Sequence, residues 1–212
     1  MRRATELVAA FVALGLFFAL GYRVRAHGEP ALFVAWESAL FDHATLVAWW
    51  VTWSCYVDVL VPIGIVLCIL AWRLPAWRTR IILTIVTLLI SWRAADFFQH
   101  LFARARPVHW AVRHETAFSY PSSHAAIVAG FYALWAALLY ASELPQRVRL
   151  SASWALGILC IAILWSRLAL GAHYITDLAG GVLLGGFVAL LGLAIVGGRS
   201  GASAGRLSRA TE

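Results

Sequence analysis

The chain has no lysine; all seventeen of its basic residues are arginine. Charge of either sign is scarce, at 13% of the residues against 62% hydrophobic ones. A soluble domain carries about 25% charged and about 45–50% apolar residues, so this balance excludes a solvated globular fold. Acidic residues number only ten, with no carboxylate cluster of the kind that holds a divalent metal. The three cysteines, Cys55, Cys68 and Cys160, all lie inside apolar runs. They form neither a CxxC nor a metal-ligand spacing, and read as small buried hydrophobes. A formal charge of +7 comes without a basic stripe interleaved with aromatics, which excludes nucleic acid as a partner. The arginines cluster between apolar runs, where they set membrane topology.

What the chain has in abundance is long apolar sequence. A span needs about 20 such residues, and six runs qualify: Leu7–Tyr22, Leu46–Ala71, Arg80–Leu101, Ala125–Ala141, Leu150–Arg167 and Leu178–Val196. Lipid admits only helices or closed barrels, and these runs are too continuous for barrel strands. The expected fold is an all-α integral membrane protein, six transmembrane helices in one bundle over residues 1–196. The Gly/Ser/Arg-rich segment 197–212 is expected to be a disordered cytoplasmic tail. Arg2, Arg3 and Val24-Arg25-Ala26 give the first run a likeness to a signal peptide, but it exceeds the usual apolar region of about 7–15 residues and is read as a retained helix. Within 29–43, apolar residues recur at helical spacing, interrupted by Glu37 and Asp42. This predicts a short interfacial helix near 30–42.

With the N-terminus inside, ten arginines (2, 3, 73, 78, 80, 147, 149, 199, 206 and 209) fall on cytoplasmic segments and five (23, 25, 104, 106 and 113) on outer ones. Arg93 and Arg167 lie within or at the ends of spans. The bias favours an N-in, C-in arrangement. The loops at about 102–124 and 168–177 then emerge together on the outer side. Tryptophans such as Trp36, Trp49, Trp50, Trp53, Trp72 and Trp77 fall near span ends, as in an interface belt. Trp110 and Tyr120, in the first of the two loops, are candidates for substrate contact. Asp58, within the second run, is expected to have a structural partner rather than to relay protons.

The two loops carry the chemistry. In "SRLALGAHYITD" (166–177), His173 and Asp177 are four residues apart, a spacing that lets a carboxylate orient an imidazole. Gly171 permits a tight turn, and Arg167 ends the fifth span at the same mouth. An Arg–Asp helix cap with a bystander histidine would explain this stretch alone. The other loop, "ARARPVHWAVRHETAFSYPSSHAA" (103–126), gathers Arg104, Arg106, Arg113, His109, His114 and His124. Its Pro121-Ser122-Ser123-His124 reads as a helix start with serine as N-cap, and helix N-termini bind anions. Arginines converging there repel one another unless an anion, naturally a phosphate, sits among them. Contact with lipid headgroups would explain that loop alone. Both plain readings would have to hold at once, on one face.

These residues resemble the motifs of the type 2 phosphatidic acid phosphatase superfamily, which shares its phosphate pocket with vanadium haloperoxidases. The family pattern Ser-Arg-x5-His-x3-Asp is complete as Ser166, Arg167, His173 and Asp177. Pro-Ser-Gly-His is met by Pro121-Ser122-Ser123-His124, with Ser123 for glycine. Lys-x6-Arg-Pro ends at Arg106-Pro107, with Gln99 in the lysine position. The resemblance implies that His173 is the nucleophile forming a phosphohistidine, that Asp177 orients it, and that His124 is the general acid. It also implies that Gln99, Arg106, Ser122, Ser123 and Arg167 bind the substrate phosphate, with no metal and no cofactor. Arg104 or His100 could replace the charge missing at Gln99, and Arg93 is expected to pair with Asp96. A neutral His173 and a protonated His124 imply a bell-shaped pH–rate profile.

The implied partner is a membrane lipid phosphate reaching the site from the bilayer. The expected location is a bacterial inner membrane, with the active site facing the periplasm. Undecaprenyl diphosphate is the leading substrate; phosphatidylglycerol phosphate, phosphatidic acid and lipid A phosphate are alternatives. Rival functions are a lipid-to-lipid phosphotransferase, a non-catalytic lipid-phosphate binder or flippase, and a vanadate-dependent oxidase.

Overall fold

A chain that must satisfy its own backbone inside lipid folds each apolar run as a helix, and the computed structural model does so over the residues it describes, 2–41, 46–107 and 117–209. The helices are α1 (Arg2–His27), α2 (Ala31–Phe41), α3 (Leu46–Trp53), α4 (Val57–Arg73), α5 (Pro75–Phe102), α6 (Ser123–Ile127), α7 (Leu134–Tyr140), α8 (Gln146–Ala169) and α9 (Ile175–Arg209). Six stretches are long and apolar enough to cross a membrane: Arg3–His27, Leu46–Arg73, Pro75–Phe102, Ser123–Tyr140, Gln146–Ala169 and Ile175–Gly197. Each coincides with one of the six runs read from the sequence. The short helix expected near 30–42 is α2, although Asp42 itself lies outside the described residues. The last helix, α9, has its bounds at Ile175 and Arg209.

The second span is not continuous. It breaks at Ser54–Tyr56, between α3 and α4, and side chains take up carbonyls at the break: Ser54 Oγ donates to the Val51 carbonyl and Tyr132 Oη to the Ser54 carbonyl. The break explains Asp58. This residue stands exposed in the first turn of α4, where the helix dipole favours an acid, rather than in mid-span with a buried partner. The fourth span also departs from a regular helix, with a π-helical turn over Val128–Ala133.

Spans on the rim turn apolar faces outward. Val61, Ile65 and Ile69 of α4 and Trp154, Ile158 and Ile161 of α8 are exposed at helical spacing, as lipid-facing stripes should be. The interior gathers around α9. A Cβ on Gly181 would come 2.4 Å from the Ser122 carbonyl oxygen, and one on Gly185 would come 2.2 Å from that of Ala126. These two glycines, one helical turn apart, therefore let α9 lie directly on α6. Above that contact, Phe17, Phe102 and Tyr120 form a buried aromatic cluster, with Tyr120 stacked on Phe17 and donating its hydroxyl to the Phe17 carbonyl. Tyr120 is fully buried there and is a packing residue, which removes it as a candidate for substrate contact. Arg93 and Asp96 pair at 3.3 Å on α5.

Candidate active site

The turn that joins α8 to α9 sets the site. Gly171 has φ +63°, a left-handed conformation that suits glycine, and the Ala172 N–H returns to the Arg167 carbonyl at 3.0 Å. His173 therefore sits just ahead of α9, and Asp177 in the helix's first turn. His173 Nδ1 lies 3.5 Å from Asp177 Oδ2, with both side chains buried. The other face of the ring meets the distant loop: Arg106 Nη1 is 3.1 Å from His173 Nε2. A guanidinium can only donate, so Nε2 presents its lone pair and Nδ1 carries the proton toward Asp177. Arg106 is itself anchored on two backbone carbonyls, Ala117 at 2.6 Å and Ala172 at 2.9 Å.

Asp177 is a hub rather than one half of a pair. Its Oδ1 accepts from Arg104 Nη1 at 2.6 Å, and its Oδ2 accepts from the Ser119 hydroxyl and from the Tyr174 N–H at 2.9 Å. Its carbonyl accepts the Ser122 N–H at 3.0 Å, which ties the start of α6 to the start of α9. Ser122 then caps α6 by accepting from the Ala125 N–H. Arg167, almost wholly buried, donates to Thr52 Oγ1 at 2.8 Å, so the break after α3 supplies a seat for it. His124 is buried one residue into α6, edge-on to Tyr56 at 5.2 Å, with the Thr52 backbone as the hydrogen-bonding group beside its ring. Arg167, His173 and Arg106 are the titratable neighbours of its ring.

Gln99, in the position of the family's lysine, is buried in the last turn of α5. Its side-chain amide donates to the Pro121 carbonyl at 2.9 Å, supporting the loop that leads into Ser122. Arg104 does not make up the missing lysine charge at the phosphate side. It is held between Asp177 and Glu29, where the carboxylates outweigh burial and keep the guanidinium protonated above its ordinary pKa. His100 is exposed and packs edge-on against Phe118. His109, Trp110, Arg113 and His114 lie outside the described residues. Sequence reasoning missed Glu29, Thr52, Ser119 and Thr176, and gave Glu37 no role in the site. Only an unexpected acid in an otherwise apolar interfacial segment marked the last.

Two cavities reach these groups. One of about 670 Å³ runs past His173, Pro107, Gly171 and Tyr174 and is walled by Glu29, Glu37 and Ser38 from the α2 side. The other, of about 640 Å³, is an apolar slot between α4 and α5, including Leu60, Ile65 and Leu88, that ends at Ser123 and His124. Among the described residues no group of three or more His, Cys, Asp or Glu gathers to hold a metal ion.

The model of the PAP2 superfamily matches residues 80–200, which takes in the loops before α6 and α9 but neither the α2 segment nor the break after α3. No curated protein sequence matches the chain. The fold is similar to the crystal structure of the first transmembrane PAP2 type phosphatidylglycerolphosphate phosphatase from Bacillus subtilis, with a TM-score of 0.70 and 21% identity over 92% of this chain and 96% of that one. With more than half of its length inside the family's model, the chain belongs to the PAP2 superfamily.

Proposed function

We propose that this protein hydrolyses a membrane lipid phosphate or diphosphate through a phosphohistidine on His173, at the outer face of a bacterial inner membrane. The observation that carries the reading is the pairing of His173 Nε2 with Arg106 at 3.1 Å while Nδ1 faces Asp177. A phosphate oxygen that accepts from Arg106 draws the guanidinium off Nε2 and leaves that lone pair beside the phosphorus, while Asp177 keeps the proton on Nδ1. Arg106 and Arg167 hold the phosphate oxygens and the charge that builds on them, with Ser122, Ser123 and the first N–H groups of α6 completing the cradle. Gln99 supports that cradle through Pro121.

In the first step His173 Nε2 forms the N–P bond as the P–O bond to the lipid breaks, and His124 gives its proton to the departing oxygen. In the second step water attacks the phosphohistidine, His124 accepts the water's proton, the N–P bond breaks and phosphate leaves. His124 lies among Arg167, His173 and Arg106, which supports it as the group that meets the leaving oxygen. The apolar slot ending at His124 offers the lipid portion a place beside that proton.

Undecaprenyl diphosphate, the substrate favoured by the sequence, would leave as the lipid monophosphate. Phosphatidylglycerol phosphate is the second reading, favoured by the name of the similar structure. The test is a phosphate-release panel with purified protein and EDTA over these two lipids, phosphatidic acid and lipid A phosphate. Release from at least one lipid, unaffected by EDTA and absent in His173→Ala, is expected. Transfer of the label to a second lipid instead of water would identify a phosphotransferase, and no release from any lipid at any pH would leave a binder or flippase.

A further inference from the structure

Glu29 lies outside every motif, in the turn between α1 and α2, yet its carboxylate is almost fully buried against the site. Its Oε2 accepts from Arg104 Nη2 at 2.8 Å and from the Thr176 hydroxyl, and its Oε1 accepts from the Thr176 N–H at 3.2 Å. Arg104 spends its other nitrogen on Asp177 Oδ1 at 2.6 Å and Thr176 Oγ1 at 2.7 Å. Eight residues after Glu29, Glu37 Oε1 accepts the Ile175 N–H at 2.6 Å. The segment carrying α2 thus grips the first N–H groups of α9 at two points, and a chain of charges runs from Glu29 through Arg104 and Asp177 to His173.

A buried arginine placed on the orienting carboxylate has a chemical consequence. Alone, Arg104 would draw the charge of Asp177 away from His173 and make the imidazole less basic. Glu29 balances Arg104 from the opposite side and leaves Asp177 its pull on the ring. We infer that Glu29, acting through Arg104, is a positioning residue that sets the basicity of His173, and that the α2 segment is part of the catalytic assembly. This inference rests on the proposed reaction. The groups facing His173 are Asp177 from α9, Arg106 from the loop before α6, and His124, with Arg104, Glu29 and Glu37 behind Asp177.

The test is the His173 ring titration in purified full-length protein, followed by NMR and assigned by its loss in His173→Gln, beside the pH profile of kcat. Glu29→Gln removes a negative charge, so the titration and the acid limb of the profile should both move down by about half a pH unit or more. Its kcat should fall about tenfold or more with KM within about threefold. The paired substitution of Glu29→Gln with Arg104→Met also removes the nearer positive charge, so it should move both midpoints the other way. It carries the test if the single variant does not fold. Unmoved midpoints in the folded variants, with only a lower melting temperature, would overturn the inference and leave Glu29 a structural residue. A ring-titration midpoint that moves as expected in a protein that releases no phosphate from any lipid would uphold the coupling while refuting the proposed reaction.

Discussion

Replacing Asp177 by asparagine keeps the shape of the side chain but removes its charge and turns one acceptor into a donor. The carboxylate is fully buried, with Arg104 on one oxygen and Ser119, the Tyr174 N–H and His173 Nδ1 around the other. An asparagine has one acceptor oxygen for both positions. Whichever way the amide sits, a donor meets a donor: either Arg104 Nη1, or the Tyr174 N–H and the His173 Nδ1 proton. The first orientation pushes Arg104 away from the hub. The second favours the tautomer with its proton on Nε2, which cannot attack phosphorus. In both, the cation forming on His173 loses its counter-charge. Losing such a partner costs a catalytic imidazole about 10³–10⁴ in kcat, or about 4–5.5 kcal/mol of transition-state stabilisation. In the proposed reaction Arg106 and Arg167, not Asp177, bind the substrate, so KM should stay within about threefold. The assay is phosphate release from a short-chain lipid phosphate by purified protein, with circular dichroism to verify the fold. A kcat loss below about tenfold, or a loss carried mainly by KM, would refute the reasoning.

Thr52→Val removes the hydroxyl that seats Arg167; kcat/KM should fall roughly ten- to hundredfold in the same assay, the range of a lost hydrogen bond to a charged group. Gln99→Lys keeps a donor for the Pro121 carbonyl and restores the family's charge, so activity should hold or rise; a collapse would mean the loop depends on the neutral amide. In Gly185→Leu the side chain meets backbone of α6, which cannot move aside, and the yield of folded protein in detergent should drop sharply. Burial and the nearby Glu29 and Asp177 raise the Glu37 carboxyl from 4.5 to about 7, against a smaller opposing pull from the Ile175 N–H. The folded state thus holds that proton more tightly than the unfolded chain. The stability from it is fully present below about 4.5 and is lost as pH rises through about 7. Melting temperature measured from pH 5 to 8 should slope downward in the wild type, and less so in Glu37→Gln.

How much of this was legible in the sequence depends on how local each signal is. The six spans were readable because lipid demands continuous apolar runs. That His173, Asp177, Arg167, Arg106, Ser122 and His124 gather in one place was readable because each stands in a motif of short, fixed spacing. The break in the second span was not, since the side chains that satisfy it, Ser54 and Tyr132, are ordinary residues whose partners are known only in space. Arg104 was misjudged for a related reason. Proximity to Gln99 in sequence suggested a substitute charge, whereas the folded chain delivers Glu29 to it from 75 positions away. Glu29 and Thr52 looked unremarkable in their own segments and gain meaning only when α2 and the α3 break are brought against α9 and Arg167.

The most direct measurement of the central claim is a rapid acid-free quench of the protein turning over a lipid phosphate labelled with ³²P, followed by peptide mapping. The expected result is an acid-labile, base-stable label on the peptide containing His173, absent in His173→Ala and longer-lived in His124→Gln. A label on another residue, or turnover that persists in His173→Ala, would contradict it.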